Sequence, residues 1–510
     1  MSWTAGYVTD LNYTYGYYRE LNPALLRLAC VNAGVAPPAA PLDYLELGFG
    51  QGVSINVHAA AFAGAYWGID FIPAQAAHAR ALAAASGSGA VLLDDSFHDF
   101  AARSDLPEFD VIALHGIWSW ISDDSRRTIV DLIRRRLKPG GLLYLSYNCF
   151  PAFAAAVPLR HLLTLHAELA GSVASGTAGN IEGALAFAQR LADAGAHYFR
   201  ANTAVAEWLK TMQGQDRAYL AHEYFNRDWR VMPFSEVARE LDEAKLSFVG
   251  SAHLIDQIDV FNIRPEWQKI LADIRHPVLR QSVRDYLLNQ QFRRDIFVKG
   301  PRPMSALERT EALRNQPFAL TARPEDVPLK AAGILGEIPL DEKLYRPLID
   351  ALAGNGFAPK SLGDLAGLPA LRDTPFADVA TAVLTLVGGG HVHPAQPVTK
   401  PARDRCSALN RYLCQRARTG TAVMALASPV TGTGIPIDVF QQLFLLAIQN
   451  DRKAVADQAA FVWDVLAAQG QRLMRDNQPL PSAQDNIAEL TKHATQFATR
   501  LPLLKALGVA

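Results

Sequence analysis

Along the first third of the chain, short apolar runs alternate with helical patterns. The runs are LDYLEL (Leu42–Leu47), AYWGID (Ala65–Asp70), AVLLD (Ala90–Asp94), FDVIALH (Phe109–His115) and GLLYLSY (Gly141–Tyr147). Between the last two lies SRRTIVDLIRRRL (Ser125–Leu137), which sets Ile129, Leu132, Ile133 and Leu137 on one helical face before KPGG breaks it. Near-continuous apolar strands separated by helices predict a parallel sheet covered on both faces. After Pro151 the pattern turns helical over 155–214, with a loop expected at Gly171–Asn180. PFSEVARELDEA then reads as a capped amphipathic helix, and LSFVGSA and RDIFVKG (Arg294–Gly300) as two strands that complete the earlier sheet.

These patterns divide the chain into five parts: a core over 1–155, a helical insertion over 156–214, a sheet-completing segment over 215–303, a small winged-helix-like α+β unit over 304–400 and a helical domain over 401–510. Gly300–Pro317 and Pro394–Asp404 read as linkers, and GGGHVHP as part of a short hairpin. The expected fold class is α/β, a Rossmann-like sheet of seven mostly parallel strands.

Composition narrows the function. Half of the 510 residues are hydrophobic, and 49 Lys and Arg balance 50 Asp and Glu, which argues against a nucleic-acid or membrane-surface partner. The four cysteines form no CxxC pair and no metal cluster, and read as free thiols of a reducing compartment. No apolar run approaches the roughly 20 residues that span a bilayer. The N-terminus lacks a secretory pattern, so the expected location is cytoplasmic, without membrane insertion.

The chemistry starts where the first strand ends. A parallel sheet binds ligands at the carboxyl ends of its strands, where strand order reverses. Gly48-Phe49-Gly50-Gln51-Gly52 is the loop there, and its glycines let a ligand approach the backbone. A dinucleotide fingerprint, G-x-G-x-x-G, would need glycine where Val53 stands. Glu46 just before the loop is a poor neighbour for a pyrophosphate and a good one for a cationic amino-acid moiety. Asp70 ends the second strand, where an acid accepts hydrogen bonds from ribose hydroxyls. Asp95 or Ser96 after the third strand would reach an adenine edge. A ligand with ribose, adenine and ammonium but no phosphate is S-adenosylmethionine. Phe71, His115 and Gly116 follow strand ends on the same side. Tyr13, Tyr15, Tyr17 and Tyr18 of the N-terminal segment are candidates for a lid that excludes water, with Tyr15 and Tyr18 on one helical face.

The first 150 residues resemble a class I methyltransferase. YTYGYYRELNP, LELGFGQGVSINVHAAA, LHGIWSWIS, LSYNCFP, HEYFN and QQFRRDIFVKG together resemble a narrower bacterial group, methyltransferases with a methyltransferase regulatory domain. That group includes rickettsial protein-lysine methyltransferases that modify outer-membrane proteins. The resemblance covers roughly residues 10–300 well and the C-terminal third more loosely. It implies methyl transfer to a protein lysine, with an outer-membrane protein among the candidate acceptors; a homodimer is compatible with it.

Methyl transfer from a sulfonium is an in-line displacement, and the acceptor must be aligned and deprotonated. Tyr147 and Asn148 follow the fifth strand; either could orient an amine lone pair. His115, Trp118 and Trp120 follow the fourth, where an aromatic face could hold a cation, although at least one tryptophan is expected to pack beneath the sheet. His222, Glu223 and Tyr224 form a second approach, with Glu223 the carboxylate for a cationic acceptor or its proton. Two other functions fit the same residues: N- or O-methylation of a small molecule or glycan, and cofactor binding without catalysis in a regulatory or assembly protein.

Overall fold

The computed structural model describes residues 6–7, 14–420 and 423–510. Its central sheet has seven strands: β1 (Tyr44–Leu47), β2 (Tyr66–Ile69), β3 (Val91–Leu93), β4 (Phe109–Leu114), β5 (Leu137–Asn148), β6 (Leu246–Ser251) and β7 (Phe292–Lys299). Their order is β3-β2-β1-β4-β5-β7-β6. The first five strands run parallel, and β7 lies antiparallel between β5 and β6. Strand order therefore reverses between β1 and β4, and their carboxyl ends open the crevice that such sheets use for ligands.

Side chains alternate across the pleat and divide into two cores. Tyr44, Val111, Ala113, Leu142 and Tyr144 face one side with helices α1 (Pro23–Asn32), α2 (Val53–Ala61) and α3 (Pro73–Ser86). Leu45, Leu47, Ile112, Leu114, Leu143 and Leu145 face the other with α4 (Phe97–Ala102), α5 (Asp123–Arg136) and the Phe234–Asp242 helix. Each such leucine contributes roughly 1.5–3 kcal/mol on burial.

The outer parts are continuous with this frame. The first core runs through α1 into Leu348, Leu352, Val383 and Leu386 of the middle unit. Val53, Val57 and Ala60 of α2 pack with Leu409, Leu413, Phe444 and Phe497 near the C-terminus. The insertion has its own core around Phe153, Leu163, Leu185 and Leu209.

Several local expectations change. The Ser125–Leu137 helix ends at Arg136, and Leu137 already belongs to β5. The insertion loop is shorter, because a helix begins at Gly176. The first expected linker contains a helix, Ala306–Asn315, started by a capping box between Ser305 and Glu308. The second is cut short by a helix from Lys400, with Thr399 as its cap. GGGHVHP forms no hairpin of its own: Val392–Pro394 pairs with Pro317–Leu320. No helix among the described residues is long and apolar enough to cross a membrane.

Candidate functional site

The glycine loop leaves β1 at the crevice, and its shape is fixed by close packing. Gly48, Gly50 and Gly52 all have positive φ. A Cβ on Gly48 would stand 2.3 Å from Ile117 Cδ1, and one on Gly52 2.3 Å from Ala79 Cβ. Left-handed backbone without room for a side chain requires glycine. Asp70 ties the loop down: Oδ2 accepts the Gly50 N–H at 2.8 Å, and Oδ1 accepts the Ile72 N–H at 3.1 Å.

Beside the loop lies a cavity of about 380 Å³. Its floor is Glu46, Gly48, Phe49, Gly50, Gln51 and Asp70. Phe71, Asp95 and Ser96 line one side, His115, Gly116 and Trp120 another. Tyr7, Thr14, Gly16 and Tyr18 cover it, and His222, Glu223, Asn226, Arg227 and Asp228 close the remaining wall.

Burial sets the charge states. It raises Glu46 to about 8, with Asp70 adding to the effect and a 3.3 Å hydrogen bond from Tyr44 Oη opposing it. Burial lifts Asp70 to about 7 against its two backbone hydrogen bonds. Burial also raises Glu223 to about 7, and no described residue gives that carboxylate a hydrogen bond or an ion pair. Burial pushes His115 down to about 4, so its ring is neutral at pH 7. That ring shares a 2.8 Å hydrogen bond with Tyr144 Oη and lies 4.2 Å from the Tyr18 ring. Trp120 Nε1 donates to the Glu223 carbonyl at 3.1 Å, joining the fourth strand end to the Arg217–Tyr224 helix.

Not every expected residue reaches the cavity. Gly52 sits behind it as the N-cap of α2. Trp118 is fully buried in the core under the sheet, so it is the tryptophan that packs, and Trp120 faces the cavity. Tyr147 is also fully buried and donates to Asp295 Oδ2 at 2.8 Å, because β7 pairs alongside it. Asn148 is held by its backbone to Ser119 Oγ and the Met232 N–H, away from the cavity lining. Tyr224 packs against Trp208 in the insertion core. Tyr15 stands edge-on to His78 at 5.0 Å and packs toward the C-terminal core. Tyr13 lies outside the described residues. Sequence reasoning missed Tyr7, Thr14, Asn226, Arg227 and Asp228; the flanking YTYGYY and HEYFN stretches were the available signal.

A second, larger cavity of about 960 Å³ lies on the other side of the N-terminal segment, among the core, the middle unit and the C-terminal helices. Residues 17–20 form a strap between the two. Tyr17 Oη meets His58 Nε2 at 3.2 Å and Thr433 Oγ1 at 2.9 Å. Arg19 donates to the carbonyls of Val387 and Gly388. Burial alone would raise the Glu20 carboxyl, but His253, Arg294 and Arg19 hold it well below the usual range. Tyr18 alone of the described lining residues faces both cavities.

The sheet order and the acid-floored cavity at its switch point define a class I S-adenosylmethionine-dependent methyltransferase. A model described as a methyltransferase domain matches residues 45–141, and one described as a predicted methyltransferase regulatory domain matches residues 216–299. The chain is 39% identical over 517 residues to the uncharacterized protein sll1526 of Synechocystis sp., with 100% of both chains covered. It belongs to the same family as that protein. An uncharacterized protein of Rickettsia prowazekii, RP789, is 26% identical over 289 residues, covering 54% of this chain and 49% of that one. Among solved structures, PKMT2 of Rickettsia typhi in complex with AdoHcy superposes with a TM-score of 0.70 at 15% identity, over 96% of this chain and 99% of that one. A second structure of PKMT2 from Rickettsia typhi gives 0.69 at 16% identity, over 98% and 100%. That likeness extends the shared fold beyond the sheet to the outer domains.

Proposed function

We propose that the chain transfers a methyl group from S-adenosylmethionine to a lysine side chain of a protein acceptor. The charge of the smaller cavity carries this reading. Six acidic groups line it, those of Glu46, Asp70, Asp95, Asp124, Glu223 and Asp228, against one guanidinium, that of Arg227, and a bound cation would draw the raised ones among them into their ionised forms. Such a lining disfavours pyrophosphate and favours cations. S-adenosylmethionine supplies, when bound, an electrophilic methyl on a sulfonium and an ammonium group that suits Glu46. Asp70 and the Asp95-Ser96 pair line the same cavity, which supports their accepting hydrogen bonds from ribose and adenine.

The acceptor end differs in kind. A lysine amine, with an ordinary pKa near 10.4, must lose a proton before it can attack. Glu223, raised to about 7, is matched to accept that proton near neutral pH. The neutral His115 and the Trp120 ring border the same space, and an aromatic face attracts an alkylammonium. The strap keeps water from the donor side. The neighbouring larger cavity supports a macromolecular acceptor, and an outer-membrane protein is one candidate.

The test is incubation of the chain with methyl-labelled donor and a mixture of candidate membrane proteins, followed by mass spectrometry. Methyl-lysine on protein is expected, and Glu223→Gln should lower turnover about a hundredfold with donor affinity nearly kept. Label found only on small molecules overturns the protein-acceptor reading.

A further inference from the structure

We propose that His115 presents a fixed Nε2–H to the smaller cavity, and that this N–H receives the carboxylate of the donor's amino-acid end. The inference rests on the reading of that cavity as the S-adenosylmethionine site. The ammonium and the carboxylate of an amino acid share one carbon, so the groups that bind them must be neighbours. Glu46, assigned to the ammonium, lies on β1, and β4 runs beside it with Ala113 opposite Glu46. His115 follows two residues later, just past the end of β4 and in the cavity lining.

Backbone N–H groups of a tight loop often hold an anion, but here most are spent inside the protein. Those of Gly48 and Phe49 both donate to the Ile69 carbonyl, that of Gly50 to Asp70 and that of Gly52 to the Phe49 carbonyl. The Gly116 N–H donates to Ser146 Oγ, and Trp120 Nε1 to the Glu223 carbonyl. Arg227 is paired with Asp228 at 2.9 Å. A neutral N–H also suits this ligand better than a cation does. A guanidinium or ammonium would attract the carboxylate but repel the sulfonium a few atoms away, whereas an uncharged N–H binds the one without opposing the other.

The groups behind the ring set which nitrogen carries the proton. Ser146 Oγ accepts the Gly116 N–H at 2.8 Å, and Tyr144 shares its face of β5. Burial raises the Tyr144 hydroxyl far above its ordinary range, and Ser146 opposes that shift, as a donor to the phenolic oxygen does. Tyr144 then gives its own proton to His115 Nδ1, 2.8 Å away. An imidazole that accepts at Nδ1 carries its proton at Nε2. No described residue takes that N–H. Burial pushes the ring down to about 4, so it stays neutral across the physiological range.

Calorimetry with two probes is the test: S-adenosylhomocysteine, and the same molecule with hydrogen in place of its carboxylate. The ratio of their dissociation constants reads carboxylate recognition, and general damage to the cavity cancels from it. The full chain should prefer S-adenosylhomocysteine by about tenfold or more, as a hydrogen bond to a charged group implies. His115→Phe keeps a flat ring near Tyr144 and Phe292 but has no N–H. Its preference should fall to within about threefold. His115→Gln returns an N–H near the same place and should recover most of the preference. Tyr144→Phe keeps the imidazole but frees its tautomer; it should lower the ratio a few-fold, and it carries the test if His115→Phe does not fold. An unchanged ratio in either folded variant overturns the proposal, even where both probes bind more weakly, because His115 would then only shape the cavity. Equal binding of the two probes by the full chain overturns it as well. Absence of any S-adenosylhomocysteine binding is a different result, which strikes the donor-site reading and this proposal with it.

Discussion

The floor and the roof of the donor cavity are built on different principles. The floor is local. Gly48 to Gly52 and Asp70 are held within the consecutive elements β1, α2, β2 and α3, with the contacts Gly50 N–Asp70 Oδ2 and Gly52–Ala79. The roof is remote. Tyr17 is latched to Thr433, Arg19 to Val387 and Gly388, and Glu20 to Arg294. A floor of this type needs only neighbouring elements of the sheet, whereas the roof couples the site to domains far along the chain.

The sharpest way to break the comparison is Gly52→Val in the floor. The new side chain meets Ala79 at a backbone φ of +71. Strain and overpacking together should cost about 3 kcal/mol or more. Thermal unfolding should show a large drop in Tm, and donor binding should be lost.

Asp70→Ala comes next. It removes both a proposed ribose contact and the anchor of Gly50. Donor affinity should fall more than about tenfold while the fold persists, as two charge-assisted hydrogen bonds imply. Unchanged affinity by calorimetry would refute that placement of the ribose.

The pH dependence sharpens the role of the floor. Glu46 and Asp70 are raised to about 8 and about 7, above the 4.5 and 3.8 of exposed groups. Between those limits the folded chain binds more protons than the unfolded chain, so this contribution to stability falls as pH rises from about 4 to 8. A cationic donor favours the ionised forms. Its affinity should therefore rise between pH 6 and 8, with proton release detectable as a buffer-dependent binding enthalpy. The smallest effect is expected from Tyr17→Phe in the roof. Loss of the hydroxyl contacts with His58 and Thr433 should cost about 1 kcal/mol and raise the donor KM a few-fold, with kcat little changed.

The same contrast explains what the residue pattern could reveal. All seven strands and the glycine loop were legible, because apolar runs ending in sharp turns are short-range signals. Of the donor-side candidates, Glu46, Asp70, Asp95 and Tyr18 meet at one cavity. The acceptor side was less legible. Tyr147 sits at a strand end, yet β7 pairs beside it and turns its hydroxyl to Asp295. Nothing near Tyr147 in the sequence announces that neighbour. Trp118 and Trp120 differ in fate by two residues within a single 3₁₀ turn, where neither the period of a strand nor that of a helix decides which ring faces inward. The strap's partners, Gly388 and Thr433, lie too far along the chain for local pattern to pair them.

The strap also imposes an order in time. Chains emerge from the ribosome N-terminus first and fold domain by domain. The loop and Asp70 exist once the first strands are made, but the latch for Tyr17 is Thr433. A nascent chain that stops short of Thr433 thus lacks one latch of the roof. The latched roof is therefore complete only once synthesis has passed Thr433, late in the making of the chain.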